Sequence, residues 1–516
     1  LVAAESAGFL RPRIGVAMKT VLLILDGAGL GPTPHGNAIT ATTMPYLFQL
    51  MKDYGYAVLD ASGPAVGLDD GMVGNSEVGH LTIGSGRPIL SMLSRIDAAF
   101  SSGEWASHPH WPMLAKYERL HLVGLLSDAG VHGHYRSIIQ AATLAVQCGV
   151  GNVVVHPILD GVDSAAGTAP AFLADLTTAL HRLPGVTLGV IMGRRSFCDR
   201  SGNLDLTRGL VDALTGQSPL AEFTIAAIKG HYPKAEADFP AHLCPGGRVV
   251  AAGEPVLLTS HRADRAMQAA RALAEKQPVF SLIELGDVIG PDRAFFPSRP
   301  LDDGLAFEFK AHGISSVRIA EQCKFPHVTY FFNGFNDHLE GREVCIPSFP
   351  DKALAEHPEM SASDVAWEVL RALADDTAQV VIANIANLDQ IGHLGNYDLA
   401  VKAAKYVDDV IELVHSATRD RGWTLLITSD HGNADLMIDS EGKAIGSHSD
   451  RPVPFVVVPD SPGKFEWLAR RGSLANVAAS LLTMMGIQPP SSMAASLVER
   501  LTRTKGVPNV QSVRAG

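Results

Sequence analysis

Short apolar, β-branched runs recur along this chain between stretches whose apolar residues repeat with helical spacing. That alternation predicts an α/β fold with largely parallel sheets. Three of the runs share an ending. Thr20–Leu25 (TVLLIL) leads into Asp26-Gly27, residues 380–384 (VVIAN) lead to Asp389, and residues 423–428 (WTLLIT) lead to Asp430-His431. Ligands of open α/β sheets bind in the crevice beyond the carboxyl ends of the strands. Three strands that each deliver an acid to that edge can build one site, although they are far apart in sequence.

The middle of the chain repeats the strand-then-site pattern with different chemistry. Leu120–Leu126 runs into Ser127-Asp128 and on to His132, and Val153–Leu159 into Asp160-Gly161-Val162-Asp163. Residues 187–192 run into Gly193-Arg194-Arg195, and residues 256–259 into Ser260-His261-Arg262 and Arg265. Arginines and a histidine stand here where the other strands carry metal-type acids. The expected organisation is two α/β domains: a discontinuous metal domain over 18–91 and 299–516, interrupted by a second domain over 92–298. The Gly/Pro-bearing stretches 83–89 and 290–304 are the expected linkers. At 516 residues the chain exceeds the size at which a single core stops growing, in keeping with more than one domain. Residues 1–17 contain no continuous apolar segment, so no signal peptide is expected there; they read as a disordered leader or a product of start-site choice.

The stretch richest in chemistry is Val-Gly-Asn-Ser-Glu-Val-Gly-His at 73–80. Ser76 sits among glycines, which let a backbone approach a ligand closely. A serine needs a base, a lowered pKa or a metal before it acts as a nucleophile. Nothing nearby resembles a Gly-x-Ser-x-Gly elbow, so a metal is the better suspect. Asp389 and His393 are one helical turn apart and can point at one ion. Asp430 and His431, at a strand-to-loop turn, can serve two neighbouring ions, and His448 precedes another apolar strand. Together Asp26, Ser76, Asp389, His393, Asp430, His431 and His448 offer oxygen and nitrogen ligands for two divalent metals. Carboxylate and imidazole without thiolate suit manganese, zinc or magnesium. Such a pair stabilises both oxygens of an in-line phosphoryl displacement and lowers the pKa of a coordinated hydroxyl.

Charge and cysteine usage then narrow the partners. The formal net charge of −12 gives no reason to expect nucleic acid or an acidic membrane. No apolar run approaches the roughly 18 residues of a membrane span. An anionic substrate must therefore be held by a local cluster of arginines. The five cysteines are scattered and form no C-x-x-C pair, which fits a reducing cytoplasm.

Read in order, the motifs LDGAG (25–29), GNA (36–38), VGNSEVGH (73–80), SDAGVHGH (127–134), DGVD (160–163), GRRSFCDR (193–200), HRADR (261–265), NLDQIGH (387–393), SDHGNAD (429–435) and SHSDRPVP (447–454) resemble one family. It is the cofactor-independent phosphoglycerate mutases of the alkaline phosphatase superfamily, and the likeness runs from about Lys19 to beyond Pro454. The resemblance implies an alkaline-phosphatase-like metal domain interrupted by an inserted phosphotransferase and substrate domain. By position it implies that Asp389, His393 and His448 hold one metal and Asp26, Ser76, Asp430 and His431 the other. Manganese is expected, with zinc, cobalt or magnesium as substitutes and no bisphosphoglycerate. It further implies that Ser76 carries the phosphoryl group and that Lys324 approaches the metals and the phosphate. Arg194, Arg200, Arg262 and Arg265 would hold the phosphoryl and carboxylate groups of the substrate, a task suited to the planar guanidinium fork. His132 and Asp163 would lie beside its hydroxyls, Asp163 as general acid/base. The activity implied is interconversion of 3-phosphoglycerate and 2-phosphoglycerate by a cytoplasmic monomer.

One departure matters. The family usually has Asp-Gly-Arg-Asp where this chain has Asp160-Gly161-Val162-Asp163, and Ser164-Ala165-Ala166-Gly167 after it is also atypical. Losing a charge-assisted contact costs about 1.5–3 kcal/mol. Arg195, where the family tends to have an aromatic residue, is a candidate replacement charge. The alternative readings are a related mutase or phosphotransferase for another small phospho- or phosphono-carboxylic acid, and a metal-dependent phosphatase.

Overall fold

The computed structural model describes residues 18–501 except 33, 200–202, 232–235, 298, 338, 340, 376 and 462. The expected leader at 1–17 and the candidate substrate residue Arg200 lie outside the described residues. The chain forms two compact units, Leu1–Leu90 with Pro300–Gly516, and Ser91–Arg299.

The first unit is built on an eight-stranded sheet. Its strands run from edge to edge in the order Arg342–Ile346, Ser316–Glu321, Val380–Ile385, Thr20–Leu25, Thr424–Thr428, Val453–Val458, Tyr56–Asp60, Arg471–Ser473. The first five are parallel, and Val453–Val458 runs antiparallel to both its neighbours. Thr20–Leu25 shows why the apolar runs lack polar alternation. Val21, Leu23 and Leu25 pack into one core beneath one face of the sheet, and Leu22 and Ile24 into another beneath the opposite face. Parallel strands covered by helices on both faces read as continuous apolar segments for this reason. Ile24 lies in register with both Asn384 and Thr428, so Asp26 and Asp430, each two residues further on, leave the sheet at the same level.

The second unit holds a nine-stranded sheet ordered Ala294–Phe296, Val279–Ile283, Val256–Leu258, Leu120–Leu126, Val153–Leu159, Val190–Gly193, His242–Leu243, Ala221–Glu222, with Val186–Leu188 also paired to Val153–Leu159. The run at 187–192, read as one strand in sequence, is two, divided at Gly189. A Cβ there would stand 2.5 Å from Cε1 of His156. That buried ring fills the place of a side chain and accepts the Val190 N–H at 2.9 Å. Two stretches read as linkers are also partly regular. Ile83 and Ser85 belong to the helix Ser76–Ser85, and Ala294–Phe296 is an edge strand. Among the described residues no helix is long and apolar enough to cross a membrane.

Glycine seats the Ser76–Ser85 helix against the sheet edge. A Cβ on Gly79 would lie 2.5 Å from the backbone oxygen of Asp430. Gly79→Ala is therefore expected to cost about 1–3 kcal/mol through overpacking, read as a lower midpoint in urea unfolding. A wild-type midpoint would mean that the helix is not held this closely.

Candidate active site

Four adjacent parallel strands of the first unit deliver the key side chains to one edge. Ser316–Glu321 is followed by Lys324, Val380–Ile385 by Asp389, Thr20–Leu25 by Asp26, and Thr424–Thr428 by Asp430 and His431. Ser76 joins them as the first residue of its helix, whose N-cap Asn75 accepts the Val78 N–H at 3.1 Å. Its Oγ stands 3.0 Å from His431 Nε2 and 3.3 Å from Asp26 Oδ1. Lys324 Nζ donates to Ser76 Oγ at 2.7 Å, Asp26 Oδ1 at 2.8 Å and Asp389 Oδ2 at 2.7 Å. The Asp389–His393 spacing works as a helical turn: His393 Nε2 is 3.2 Å from Asp389 Oδ1, and His448 Nε2 is also 3.2 Å from that oxygen. The structure thus brings together Asp26, Ser76, Lys324, Asp389, His393, Asp430, His431 and His448.

The electrostatics of this cluster call for cations. Asp26, Asp389 and Asp430 are buried, and Lys324 is the lysine set among them. Burial by itself would lower the Lys324 pKa, but the carboxylates of Asp26, Asp389 and Asp430 outweigh it and hold the group above the usual lysine range. Burial likewise opposes the His431 charge, and Asp430 with Asp26 and Asp389 raises its pKa to about 9. Two groups of ligand atoms, Asp389 with His431 and His448, and Asp26 with Asp430 and His431, each lie within 4.8 Å of one another.

The donor set fits divalent ions. His393 Nδ1 and His448 Nδ1 each stand 2.8 Å from a backbone carbonyl oxygen, of Gly446 and Gly74. A proton on each Nδ1 leaves the two Nε2 lone pairs facing each other at 3.2 Å. That arrangement is repulsive unless a cation or a proton sits between them. Fixing the remote nitrogen by a backbone carbonyl is how metal-bound imidazoles are oriented. Buried Asp430 Oδ2 has no hydrogen-bond donor either, which leaves it free for an ion.

A family model described as the metalloenzyme superfamily matches residues 18–489. The 2,3-bisphosphoglycerate-independent phosphoglycerate mutase of Nitratidesulfovibrio vulgaris is 35% identical over 501 residues, covering 92% of this chain and 98% of that relative. The same enzyme of Pseudomonas aeruginosa is 34% identical over 507 residues, with 92% and 97% covered. The chain belongs to this mutase family. A solved phosphoglycerate mutase of Leishmania mexicana, studied at low cobalt concentration, has the same fold at a TM-score of 0.73 and 25% identity, over 94% of this chain and 98% of the other.

The second unit of this mutase-family chain gathers a different set. Leu120–Leu126, Val153–Leu159, Val190–Gly193 and Val256–Leu258 are parallel neighbours, and the segments after them carry His132, Asp160 with Asp163, Arg194, and Arg262 with Arg265. Buried Arg194 donates through Nη1 to Asp160 and, at 2.6 Å, to Asp163 Oδ2. His132 Nε2 is 3.8 Å from the same Asp163 oxygen. The Ser260 hydroxyl donates to the His132 carbonyl at 2.6 Å, which ties the segment bearing Arg262 to the loop bearing His132. Arg262 occupies the N-cap position of the helix Ala263–Ala274 and is exposed; Arg265 follows in the first turn. Arg195, the candidate replacement charge, is instead engaged in an ion pair with Asp238 on an exposed surface. Val162 is 65% exposed.

Several polar residues at these edges stand outside the site set expected from sequence. Asn433 donates to Asp389 Oδ1 at 3.1 Å and Asn384 to Asp26 Oδ2 at 2.7 Å. In the second unit the Ser127 hydroxyl donates to Asp160 Oδ2 at 2.6 Å. Burial opposes the Asp160 charge, but Ser127 and Arg194 together hold its pKa below the usual carboxylate range. The clue to Asn384 was its place as a polar residue inside an apolar run.

Glu321 ends the strand that leads to Lys324. It is buried; Oε1 accepts the Ser361 N–H at 3.0 Å and Oε2 has no partner. Burial pushes its pKa up to about 7. A carboxyl whose folded pKa exceeds its unfolded one resists ionisation in the folded state. Its presence therefore costs stability as pH rises from about 4.5 to about 7. Glu321→Gln should remove that decline, gaining about 2–3 kcal/mol over wild type at pH 8 relative to pH 5 in urea unfolding. An equal effect at both pH values would rule out the buried carboxylate as the cause.

Proposed function

We propose that the chain is a phosphoglycerate mutase that interconverts 3-phosphoglycerate and 2-phosphoglycerate through a phosphoserine at Ser76. The observation that carries this reading is the seat of Ser76 Oγ, at a helix N-terminus with Lys324 Nζ at 2.7 Å and His431 Nε2 at 3.0 Å, in a member of the mutase family. Asp389, His393 and His448 would hold one divalent ion, and Asp26, Ser76, Asp430 and His431 the other. Manganese is the metal we assign, on the likeness to the mutase family; the oxygen and nitrogen donors suit it along with zinc, cobalt or magnesium. When bound, such ions lower the pKa of the Ser76 hydroxyl and offset the charge of the transferring phosphoryl group.

Ser76 Oγ, whose proton would leave to solvent as the ions bind, attacks phosphorus in line as the bond from phosphorus to the glycerate oxygen breaks. Lys324 holds Oγ and offers its charge to the phosphoryl oxygens, and the first N–H groups of the Ser76–Ser85 helix face the same anion. Arg194, Arg262 and Arg265, with Arg200, grip the carboxylate and phosphate of the substrate, and His132 bonds its hydroxyls. Asp163 gives a proton to the departing oxygen. After the glycerate has turned over, Asp163 takes a proton from the other hydroxyl as that oxygen attacks the phosphoserine. The paired Arg194, His132 and Asp163 favour a mutase over a phosphatase, since a hydrolase has no need to retain the dephosphorylated alcohol. We assign the working enzyme as a cytoplasmic monomer, in keeping with five cysteines that are all free thiols.

Ser76→Ala is expected to abolish interconversion and the gain of one phosphate in intact mass, while the melting temperature stays near wild type. Turnover at the wild-type rate would end the phosphoserine route. Val162→Arg restores a cation beside Asp163 and should lower KM for 3-phosphoglycerate by roughly tenfold to a hundredfold, the equivalent of one charge-assisted bond. An unchanged KM, with faster turnover of a phosphonate analogue by wild type, would assign the pocket to a different acid.

A further inference from the structure

The carboxylates of the second ion site are themselves held from behind, by two residues that take no part in the chemistry above. Asn384 and His80 are completely buried. The Asn384 side-chain amide stands 2.7 Å from Asp26 Oδ2 and 3.0 Å from His80 Nε2. Its two N–H groups can serve both, which makes His80 Nε2 an acceptor and puts the imidazole proton on Nδ1. His80 Nδ1 in turn lies 2.9 Å from the Ser76 carbonyl oxygen and 3.1 Å from Asp430 Oδ2. The N–H is aimed at the carbonyl. Asp430 Oδ2 is an electrostatic neighbour without a hydrogen bond of its own, so its lone pairs stay available.

One hydrogen-bonded chain thus runs from the first strand, through Asn384 on the adjacent strand, to the helix that carries the nucleophile, and touches Asp26, Ser76 and Asp430. Register explains the reach: Asn384 pairs with Ile24, two residues before Asp26. We propose that His80 and Asn384 are positioning residues for the ion held by Asp26, Ser76, Asp430 and His431, fixing the direction of the Asp26 carboxylate and the backbone at Ser76 before any ion arrives. This rests on the metal-site part of the reading above and is independent of which phosphorylated acid is the substrate. Hydrogen-bonded partners of metal ligands typically contribute about 10–100-fold in metal affinity or activity.

The two ends of His80 can be separated chemically. An asparagine at 80 places its amide nitrogen where Nδ1 stands and keeps the donor toward the Ser76 carbonyl oxygen. A glutamine places its amide near Nε2 and loses that donor. Chelator-treated full-length protein would be titrated with Mn²⁺ by calorimetry, alongside melting temperatures with and without the ion. His80→Gln and Asn384→Leu should weaken one of two binding events by about 10–100-fold, leave the other within about threefold, and shrink the ion-induced rise in melting temperature. His80→Asn should restore most of the loss, and kcat for phosphoglycerate should fall in His80→Gln with KM little changed. The proposal is overturned if His80→Gln and Asn384→Leu bind both ions as wild type does, or if melting drops equally with and without the ion. It is also overturned if His80→Asn is as weak as His80→Gln. Because the titration uses no substrate, a wild type that binds two ions but interconverts no phosphoglycerate would sink the mutase reading and leave this inference standing.

Discussion

Three carboxylates, Asp26, Asp389 and Asp430, are buried at one sheet edge with the single ammonium of Lys324 between two of them. Burying like charges together is among the most expensive things a fold can do unless counter-charge is supplied. The remaining deficit is two negative charges. It is met either by protonating imidazoles or by binding cations. The raised pKa of His431 and the facing Nε2 atoms of His393 and His448 express that need in the protein itself. A site with unmet negative charge is biased toward cations, and a coordinated cation is one of the ways a serine becomes reactive.

The sheet makes the concentration of charge achievable. Four strands that are neighbours in space, though not in sequence, end at one level, and each carries its acidic or basic residue within a few positions of its last paired residue. The second unit uses the same geometry for the opposite purpose. Its strand ends carry arginines, and Arg194 is neutralised in place by Asp160 and Asp163. One edge therefore has an excess of anions awaiting cations. The other has one arginine, Arg194, fixed between two carboxylates.

The loop at 160–164 carries Val162 where the family resemblance leads one to expect an arginine. Val162 exposes most of its surface beside the polar network of Asp160, Asp163 and Arg194, and Arg195 is committed to Asp238. Arg195, which sequence position suggested as a replacement charge, lies in that pair in this structure. The backbone there is nonetheless well held: Asp160 accepts the N–H groups of Val162, Asp163 and Ser164. The loop thus holds Asp163 on a fixed backbone with an apolar side chain beside it at 162.

The amino-acid sequence by itself determined the family, the α/β class and the residues of the first cluster, because ordered motifs of small, acidic and imidazole residues after apolar runs have few other meanings. It also put Asp389 and His393 within reach of each other, since helical spacing is a local property. Tertiary structure alone decided what depends on pairing between distant strands. It set the register that levels Asp26 with Asp430, and the place of Asn384 and His80 behind the carboxylates. It divided the run at Gly189 around the His156 ring, and it diverted Arg195 to Asp238. Hydrophobic period and motif order are written along the chain. Which neutral polar group meets which charge is set by contacts between segments hundreds of residues apart, and no local pattern encodes them.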